Sequence, residues 1–282
     1  MAKMPVSGIV VVRNEHLHHR RTLELYSEMM MPTDACQLSV ILPCANEREN
    51  LAPLILELEP ELQALGLPFE VICVDDGSTD DGVEILRSLQ ATRPWLRVLL
   101  HRRNFGQSAC YCTGFQMARG ELVLTMDADR QHDPADIKRL LAEMRDGVAA
   151  VCGVRQARQD NWVRRLSSKI ANGFAGWVTG DAVVDAGCTF RLIRKSALAE
   201  LPGFNGLHRY IPTLLRIRGQ RVVEVRINHR NRPAGKTKYG IGNRMWRGMV
   251  DCLAMRWFRR RAFPADRLLV AADGSPAAGR QG

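Results

Sequence analysis

From residue 38 onward the sequence alternates short apolar runs with amphipathic segments, and this alternation is the feature that most restricts the fold. Each amphipathic segment has the periodicity of a helix with one apolar face. The apolar runs predict strands at residues 38–43, 69–74, 96–101, 121–126 and 148–154. Strand and helix repeated at this spacing predict an α/β fold with a mostly parallel sheet covered on both faces. Ligands of such folds lie at the carboxyl ends of the strands, so the residues there are the candidates for a functional site.

The composition excludes several other classes of protein. The 282 residues suit one large domain or two small ones, and 46% of them are hydrophobic, as in ordinary globular chains. Disorder, collagen and a disulfide-stapled miniprotein are excluded. The eight cysteines are scattered without a CxxC pair or zinc spacing, as expected of a reduced intracellular protein. No apolar run approaches the roughly 18 residues that cross a bilayer.

Two adjacent carboxylates, Asp75 and Asp76, follow the second predicted strand. The next residue, Gly77, permits a tight turn, and Ser78 or Asp80 can cap the following helix. Turn formation and capping explain these three residues but not the two acids before them. One interpretation is that the two acids bind hydroxyl or base N–H groups of a nucleoside, and a structural role is the alternative.

The fourth predicted strand is followed by a series of oxygen-bearing side chains. Asp127, Asp129 and Gln131 are spaced two residues apart, so in an extended segment they project to one side. Oxygen ligands of this kind suit Mg²⁺ or Mn²⁺, which takes further ligands from water and a diphosphate. A capping loop is the alternative, because Asp133 precedes a proline that can start the next helix. Capping explains Asp133 but neither Asp127 nor Asp129.

The basic residues are concentrated near the C-terminus. Between Arg226 and Arg261 there are eleven lysines and arginines and one acid, Asp251, a balance of +10 that equals the net charge of the chain. Such a block is typical of nucleic-acid binding, of attraction to anionic lipids or phosphorylated substrates, or of a solvated tail. No nucleic-acid motif accompanies it, so we expect no nucleic-acid partner.

Part of this basic block has the pattern of an amphipathic helix. Its apolar positions are spaced i, i+3, i+4, i+7 and i+11, with arginines on both sides. These positions are Trp246, Met249, Val250, Leu253 and Trp257. Tryptophans beside arginines suit a helix in the headgroup region of an anionic membrane surface. Packing on the protein's own surface is the alternative, and the two are compatible.

Taken in order, the motifs resemble those of the family 2 glycosyltransferases, and within them the polyprenyl-phosphate branch that includes dolichol-phosphate mannosyltransferase. The similarity covers roughly residues 37–240. It is carried by residues 43–47 (PCANE), 74–80 (VDDGSTD), 103–109 (RNFGQSA) and 127–131 (DADRQ). The resemblance implies a GT-A fold and an inverting transferase that uses Mg²⁺ or Mn²⁺. Its donor would be a UDP- or GDP-sugar, and its acceptor an undecaprenyl- or dolichyl-type phosphate.

The resemblance also implies roles for individual residues. The donor nucleotide would be bound by Pro43, Asn46, Glu47, Asp75, Asp76, Arg103, Gly106, Ser108 and Asp127. The metal that bridges the donor diphosphate would be held by Asp127, Asp129 and Gln131. The acceptor phosphate would be bound by Arg191, Arg209, Arg232, Lys236 and Lys238. Catalysis would rest on Asp129, Asp185 and Arg209, mainly by positioning and charge neutralisation, because an acceptor phosphate is already ionised at neutral pH. A role of Asp185 as a base is the alternative.

The chain departs from the family pattern at Ala45, where an aromatic residue is common, and at Thr189, where glycine is usual. Many bacterial relatives also continue into paired transmembrane helices. We predict an N-terminal extension (1–36), a GT-A domain (37–240), a basic interfacial helix (241–263) and a flexible tail (264–282). The expected location is the cytoplasm, at the inner face of the cell membrane. Whether a separate membrane protein is a partner stays open. The alternatives are a family 2 enzyme that extends a saccharide or polysaccharide and a noncatalytic protein that binds nucleic acid or membranes.

Overall fold

Strands of the described chain form one eight-stranded sheet. The computed structural model describes residues 9–11, 36–155, 185, 187–199, 201–231 and 241–262, and of residues 9–11 and 241–249 it describes the backbone alone. The strands are β1 (Ile9–Val11), β2 (Leu38–Cys44), β3 (Phe69–Asp75), β4 (Leu96–Leu100), β5 (Leu122–Thr125), β6 (Val148–Arg155), β7 (Arg191–Arg194) and β8 (Arg221–Ile227). Their order in the sheet is β1-β4-β3-β2-β5-β7-β6-β8.

Helices follow most of the strands. They are α1 (Arg48–Gln63), α2 (Gly82–Gln90), α3 (Gln107–Met117), α4 (Ile137–Glu143), α5 (Lys195–Leu198), α6 (Leu207–Ile217) and α7 (Ile241–Arg261). A short 3-10 helix, Pro134–Asp136, precedes α4, and the Asp133 side chain caps it by accepting from the Ala135 N–H. Among the described helices, none has the length and apolar character needed to span a membrane.

The sheet is mostly parallel, as predicted. The pairs among β1, β4, β3, β2 and β5 are all parallel, and β8 is parallel to β6. Only β7 runs the other way, between β5 and β6. The five predicted strands are present with each end within one residue of its predicted position. The strands that the apolar pattern did not predict are β1, β7 and β8.

Two apolar clusters cover the two faces of the sheet. Successive residues of a strand point to opposite faces, so Val40 and Leu42 lie in one cluster and Ile41 in the other. The first cluster includes side chains of α1, α2 and α4, and the second includes side chains of α3, α6 and α7. This arrangement confirms the predicted sheet with helices on both faces. It also leaves the carboxyl ends of β2, β3 and β5 together at one edge.

Candidate active site

The loops after β2 and β3 are joined by hydrogen bonds around Asp75. The Asp75 carboxylate accepts from the backbone N–H of Ser78 at 3.0 Å and from the Ser78 hydroxyl. The same hydroxyl accepts from the Asn46 N–H at 2.9 Å, and Asn46 Oδ1 accepts from the Thr79 N–H at 2.8 Å. Asp75 is buried, while Asn46 is exposed. The structure therefore gives Asp75 a turn-forming role and leaves Asn46 at the surface of the site.

Asp76 anchors the loop that follows β4. Its carboxylate accepts from the backbone N–H groups of Phe105 at 2.9 Å and Gly106 at 2.7 Å, and it lies 2.7 Å from His101 Nδ1. Burial by itself raises the pKa of Asp76, but the hydrogen bonds from these three residues outweigh it and hold the pKa below its usual value. Asp76 is 3% exposed. Its oxygens are thus occupied by groups of the protein.

Asp76, His101 and Cys110 also form a cluster of metal-ligand type, with one atom of each within 4.8 Å of the others. Burial raises the pKa of the Cys110 thiol far above its usual value, so the thiolate that metals prefer is disfavoured. His101 Nε2 lies 3.0 Å from the Thr113 hydroxyl. Asp76, His101 and Cys110 therefore form a buried, hydrogen-bonded group that supports the loop after β4.

The loop supported by Asp76 carries an exposed aromatic ring. The Phe105 side chain is 42% exposed, and the Arg103 guanidinium lies 4.5 Å from the ring centre. Gly77 has φ +69°, and a Cβ there would lie 2.6 Å from the Arg103 carbonyl carbon. Glycine is therefore required for the β3 turn to pack against this loop. The exposed ring and guanidinium can stack against a flat or sugar-like ligand.

The other predicted donor-side residues differ in exposure. Ser108 is buried, and its hydroxyl accepts from the Gly206 N–H at 2.9 Å and lies 2.8 Å from His208 Nδ1. Glu47 is half-buried and accepts from Asn50 Nδ2 at 2.7 Å. Pro43 is half-buried within β2. Ser108 thus joins the start of α3 to the start of α6, which the motif alone did not indicate.

The chain after β5 forms a turn, where an extended segment was expected. Arg130 has φ +60°, a left-handed conformation that few residues other than glycine adopt. Asp127 and Asp129 are half-buried, and Ala128 between them is buried. Gln131 is also half-buried, and its N–H donates to Asp129 Oδ1 at 3.2 Å. The three predicted metal ligands are therefore accessible together on one turn, and their oxygens fit a hard cation.

Two residues of α3 hold the first of these carboxylates. Asp127 Oδ1 accepts from Gln107 Nε2 at 2.6 Å and from the Tyr111 hydroxyl at 3.2 Å. Burial, and then the charge of Asp127, raise the pKa of Tyr111 well above its usual value, so the phenol keeps the proton that it donates. Sequence reasoning missed both residues as parts of the site. The spacing of four between them, on one helix face, was the available signal.

Asp185 forms an ion pair that the sequence did not predict. Its two carboxylate oxygens accept from Arg155 Nε at 2.7 Å and Nη2 at 2.8 Å, at the end of β6. Burial by itself lowers the pKa of Arg155, but the hydrogen bond and charge of Asp185 outweigh it and raise the pKa. A carboxylate in such a forked pair has its charge compensated. The pair therefore favours positioning by Asp185 over proton removal.

The predicted acceptor-side residues are placed unequally. Arg191 is 2% exposed in β7 and donates to the His208 carbonyl, so the structure corrects its expected place at a phosphate-accessible surface. Arg209 is half-buried, and its guanidinium has no hydrogen bond or ion pair to any described residue. Arg232, Lys236 and Lys238 lie outside the described residues. The segment leading to them is attached to the turn at residues 127–131, because the Arg230 N–H donates to the Gln131 carbonyl at 2.8 Å.

Comparisons with known proteins show the family to which the chain belongs. The model of the family "Glycosyl transferase family 2" matches residues 39–202. Undecaprenyl-phosphate 4-deoxy-4-formamido-L-arabinose transferase from Edwardsiella ictaluri (strain 93-146) is 36% identical over 206 residues, which are 72% of this chain and 63% of that protein. The chain thus spans less than two thirds of that relative's length.

Solved structures show the same fold at lower identity. Glucosyl-3-phosphoglycerate synthase from Mycobacterium tuberculosis, in complex with phosphoglyceric acid, is 20% identical with a TM-score of 0.60, covering 85% of each chain. The same synthase in complex with Mn²⁺, UDP and phosphoglyceric acid is 20% identical with a TM-score of 0.59, covering 84% of this chain and 82% of that one.

Proposed function

Because this chain belongs to glycosyl transferase family 2 and has the GT-A fold, we propose that it is an inverting, metal-dependent glycosyltransferase. It moves a sugar from a UDP- or GDP-sugar to a polyprenyl phosphate. The observation that carries this proposal is the similarity to an undecaprenyl-phosphate sugar transferase over 72% of the chain. The half-buried carboxylates Asp127 and Asp129 at the end of β5 support it.

The turn at residues 127–131, named the metal turn from here on, supplies the ligands for Mg²⁺ or Mn²⁺. Asp127, Asp129 and Gln131 would hold the ion, which when bound compensates the charge that builds on the leaving nucleoside diphosphate. Gln107 and Tyr111 bind Asp127 through one oxygen, Oδ1, and so orient the carboxylate before any ligand arrives. Positioning of this kind reduces the reorganisation that accompanies reaction.

The donor and the acceptor approach from different sides of this turn. The nucleotide lies against the exposed Asn46, the half-buried Glu47 and the loop that carries Arg103 and Phe105. The acceptor phosphate lies toward Arg209, whose guanidinium bonds to no other described side chain. The basic residues Arg232, Lys236 and Lys238, which follow the attached segment, complete its binding.

Transfer proceeds by one in-line displacement. A phosphate oxygen of the acceptor attacks the anomeric carbon, the bond from that carbon to the nucleoside diphosphate breaks, and the configuration inverts. The acceptor phosphate is ionised at neutral pH, so no protein base is needed. The pairing of Asp185 with Arg155 is consistent with this, because the paired carboxylate holds Arg155 at the end of β6 and is not needed to remove a proton.

We place the reaction at the inner face of the cell membrane, where α7 contacts anionic lipid. Val250, Leu253 and Trp257 of α7 are 48%, 58% and 62% exposed. Their spacing of i, i+3 and i+7 puts them on one face of the helix. Exposed arginines accompany them at positions 256, 259, 260 and 261. Apolar side chains beside cations suit a lipid headgroup layer, and a separate membrane protein is the alternative partner.

The test is glycosyl-lipid formation by the purified protein with undecaprenyl phosphate, Mg²⁺ or Mn²⁺ and a panel of UDP- and GDP-sugars. We expect product with one donor and a loss of about a hundredfold or more in Asp129→Ala, because its carboxylate would hold the ion that compensates the charge on the leaving diphosphate. Asp146→Ala, at an exposed site outside the described turn, is the matched control and should keep full activity. Transfer to a saccharide in place of the lipid, or equal activity in Asp129→Ala, would contradict the proposal.

A further inference from the structure

Glu57 lies in the middle of α1, outside every motif that indicated the site, yet its carboxylate binds two arginines from distant segments. Arg130 donates to Oε1, and Arg230 Nη1 donates to Oε2 at 2.9 Å. The Glu57 and Arg130 side chains are 30% and 25% exposed, so their pair is partly shielded from water, whereas the Arg230 side chain is 43% exposed. One carboxylate thus connects the turn after β5 with the segment after β8.

Arg130 stands between two of the proposed metal ligands, Asp129 and Gln131. Its backbone is left-handed, with φ +60°, a conformation that costs a non-glycine residue free energy and persists where surrounding contacts hold it. Its Nε is buried and has no hydrogen-bond partner among the described residues. The bond to Glu57 is therefore the contact through which the Arg130 side chain holds the shape of the metal turn.

Arg230 ties the second segment to the same place. Besides Glu57, its guanidinium donates to Asp133 Oδ1 at 2.8 Å, and its backbone N–H donates to the Gln131 carbonyl at 2.8 Å. Arg230 also precedes Arg232, the first of the basic residues assigned to the acceptor phosphate, by two positions. Its contacts therefore fix the position of the chain two residues before Arg232.

We propose that Glu57 is a positioning residue that holds the turn at residues 127–131 and the segment after β8, residues 228–231, in register with each other. The inference rests on the proposed function, since it assigns Glu57 to the same metal and acceptor phosphate. Glu57 contacts neither ligand itself. It acts through Arg130 on the spacing of Asp129 and Gln131, and through Arg230 on the start of the basic segment.

The test is Glu57→Gln, which keeps the size of the side chain and removes its charge. We expect Mn²⁺ binding, measured by electron paramagnetic resonance in the presence of the donor nucleotide, to weaken about tenfold, as for other residues that orient metal ligands. The KM for undecaprenyl phosphate should rise by a similar factor, with a smaller change in kcat. Glu61→Gln is the matched control, because Glu61 lies one turn further along α1 and pairs with the exposed Lys138 at 3.9 Å.

Arg230→Gln and the double variant separate positioning from general destabilisation. If Glu57 acts through Arg230 on the acceptor, the double variant should raise the KM for undecaprenyl phosphate no further than Arg230→Gln alone. Glu57→Asp, which keeps the charge but shortens the reach, replaces Glu57→Gln if that variant does not fold. A folded Glu57→Gln with unchanged Mn²⁺ affinity and KM overturns the inference and leaves the proposed function intact. Lack of Mn²⁺ binding by the wild-type protein overturns both.

Discussion

Asp75 and Asp76 show how two neighbouring residues of one type acquire different contacts. Adjacent residues at a strand end point to opposite sides, so Asp75 reaches its own turn and Asp76 reaches the loop after β4. From the sequence, a nucleoside ligand and a structural role were both open for the two acids. In the structure, groups of the protein occupy both carboxylates, and the exposed residues beside them are Asn46 and Phe105.

Asp76→Asn should lower the free energy of unfolding by about 1–3 kcal/mol at pH 7, because the variant loses a buried charged acceptor. The pKa of Asp76 is lowered in the folded protein, so its stabilisation is present above the ordinary aspartate pKa of about 3.9 and is lost as the pH falls through the folded value. Urea unfolding of both proteins should therefore show a difference that shrinks below about pH 4.

Asp81→Asn provides the comparison for Asp76→Asn. Asp81 pairs with Arg48 at 3.0 Å, but its side chain is 78% exposed, so the substitution should have little effect on unfolding. If Asp76→Asn is as stable as Asp81→Asn at pH 7, or if its loss of unfolding free energy does not depend on pH, the role of the Asp76 charge is refuted.

At the scale of elements, α7 has two apolar faces. Cys252 and Met255 are buried, and Cys252 Sγ lies 3.6 Å from the Tyr210 hydroxyl of α6. Val250, Leu253 and Trp257 are exposed on the other face. The sequence pattern predicted the exposed stripe but not the buried face. The helix packs on the domain and also presents an apolar surface, so the two alternatives weighed from the sequence are both compatible with it.

Leu253→Glu should weaken binding to phosphatidylglycerol vesicles by about tenfold or more, because transferring a leucine side chain from water contributes roughly 1.5–3 kcal/mol. Vesicle flotation of the full chain measures it, and added salt should weaken wild-type binding by screening the arginines. Met255→Ala, on the buried face, should lower the unfolding free energy with little change in flotation. Equal flotation of Leu253→Glu and the wild type would show that this face does not bind lipid.

At the scale of the whole molecule, the parallel sheet determines which distant residues meet. The carboxyl ends of β2, β3 and β5 lie side by side, which brings Asn46, Asp76 and Asp127 to one edge. Across the sheet, Asn228 N–H donates to Asp136 Oδ2 at 2.6 Å and joins the end of β8 to the start of α4. The candidate site is thus built from segments about 180 residues apart in the chain.

Binding of Mn²⁺ with UDP or GDP should stabilise the whole protein. Ligand at a hundredfold excess over its Kd adds about 2.7 kcal/mol to the unfolding free energy, which raises the Tm by several degrees in a thermal unfolding experiment. Chelation of the metal with EDTA should abolish most of this shift, and Asp127→Ala should not show it. A Tm shift in Asp127→Ala as large as in the wild type would remove Asp127 from the metal site.

The accuracy of the predictions follows from how local each signal is. The five predicted strands are apolar runs that are buried between two layers of helices. A run of this kind is apolar on both faces, so the sequence alone identifies it as a central strand. β7 was missed because it is only four residues long and has arginine at both ends. Arg191 is buried in β7, where its guanidinium donates to the His208 carbonyl. Its partner lies 17 positions further along the chain, so the local sequence pattern did not indicate the contact.

The sequence by itself determined the α/β class, the mostly parallel character of the sheet and the grouping of oxygen-bearing side chains at residues 127–131. These features depend on periodicity and on neighbours in the chain, which a linear pattern contains. Only the tertiary structure decided that Asp76 anchors a loop, that Arg155 pairs with Asp185 and that Glu57 binds Arg130 and Arg230. Those contacts join residues that are far apart in the sequence and meet only in the folded protein, so no local sequence pattern predicts them.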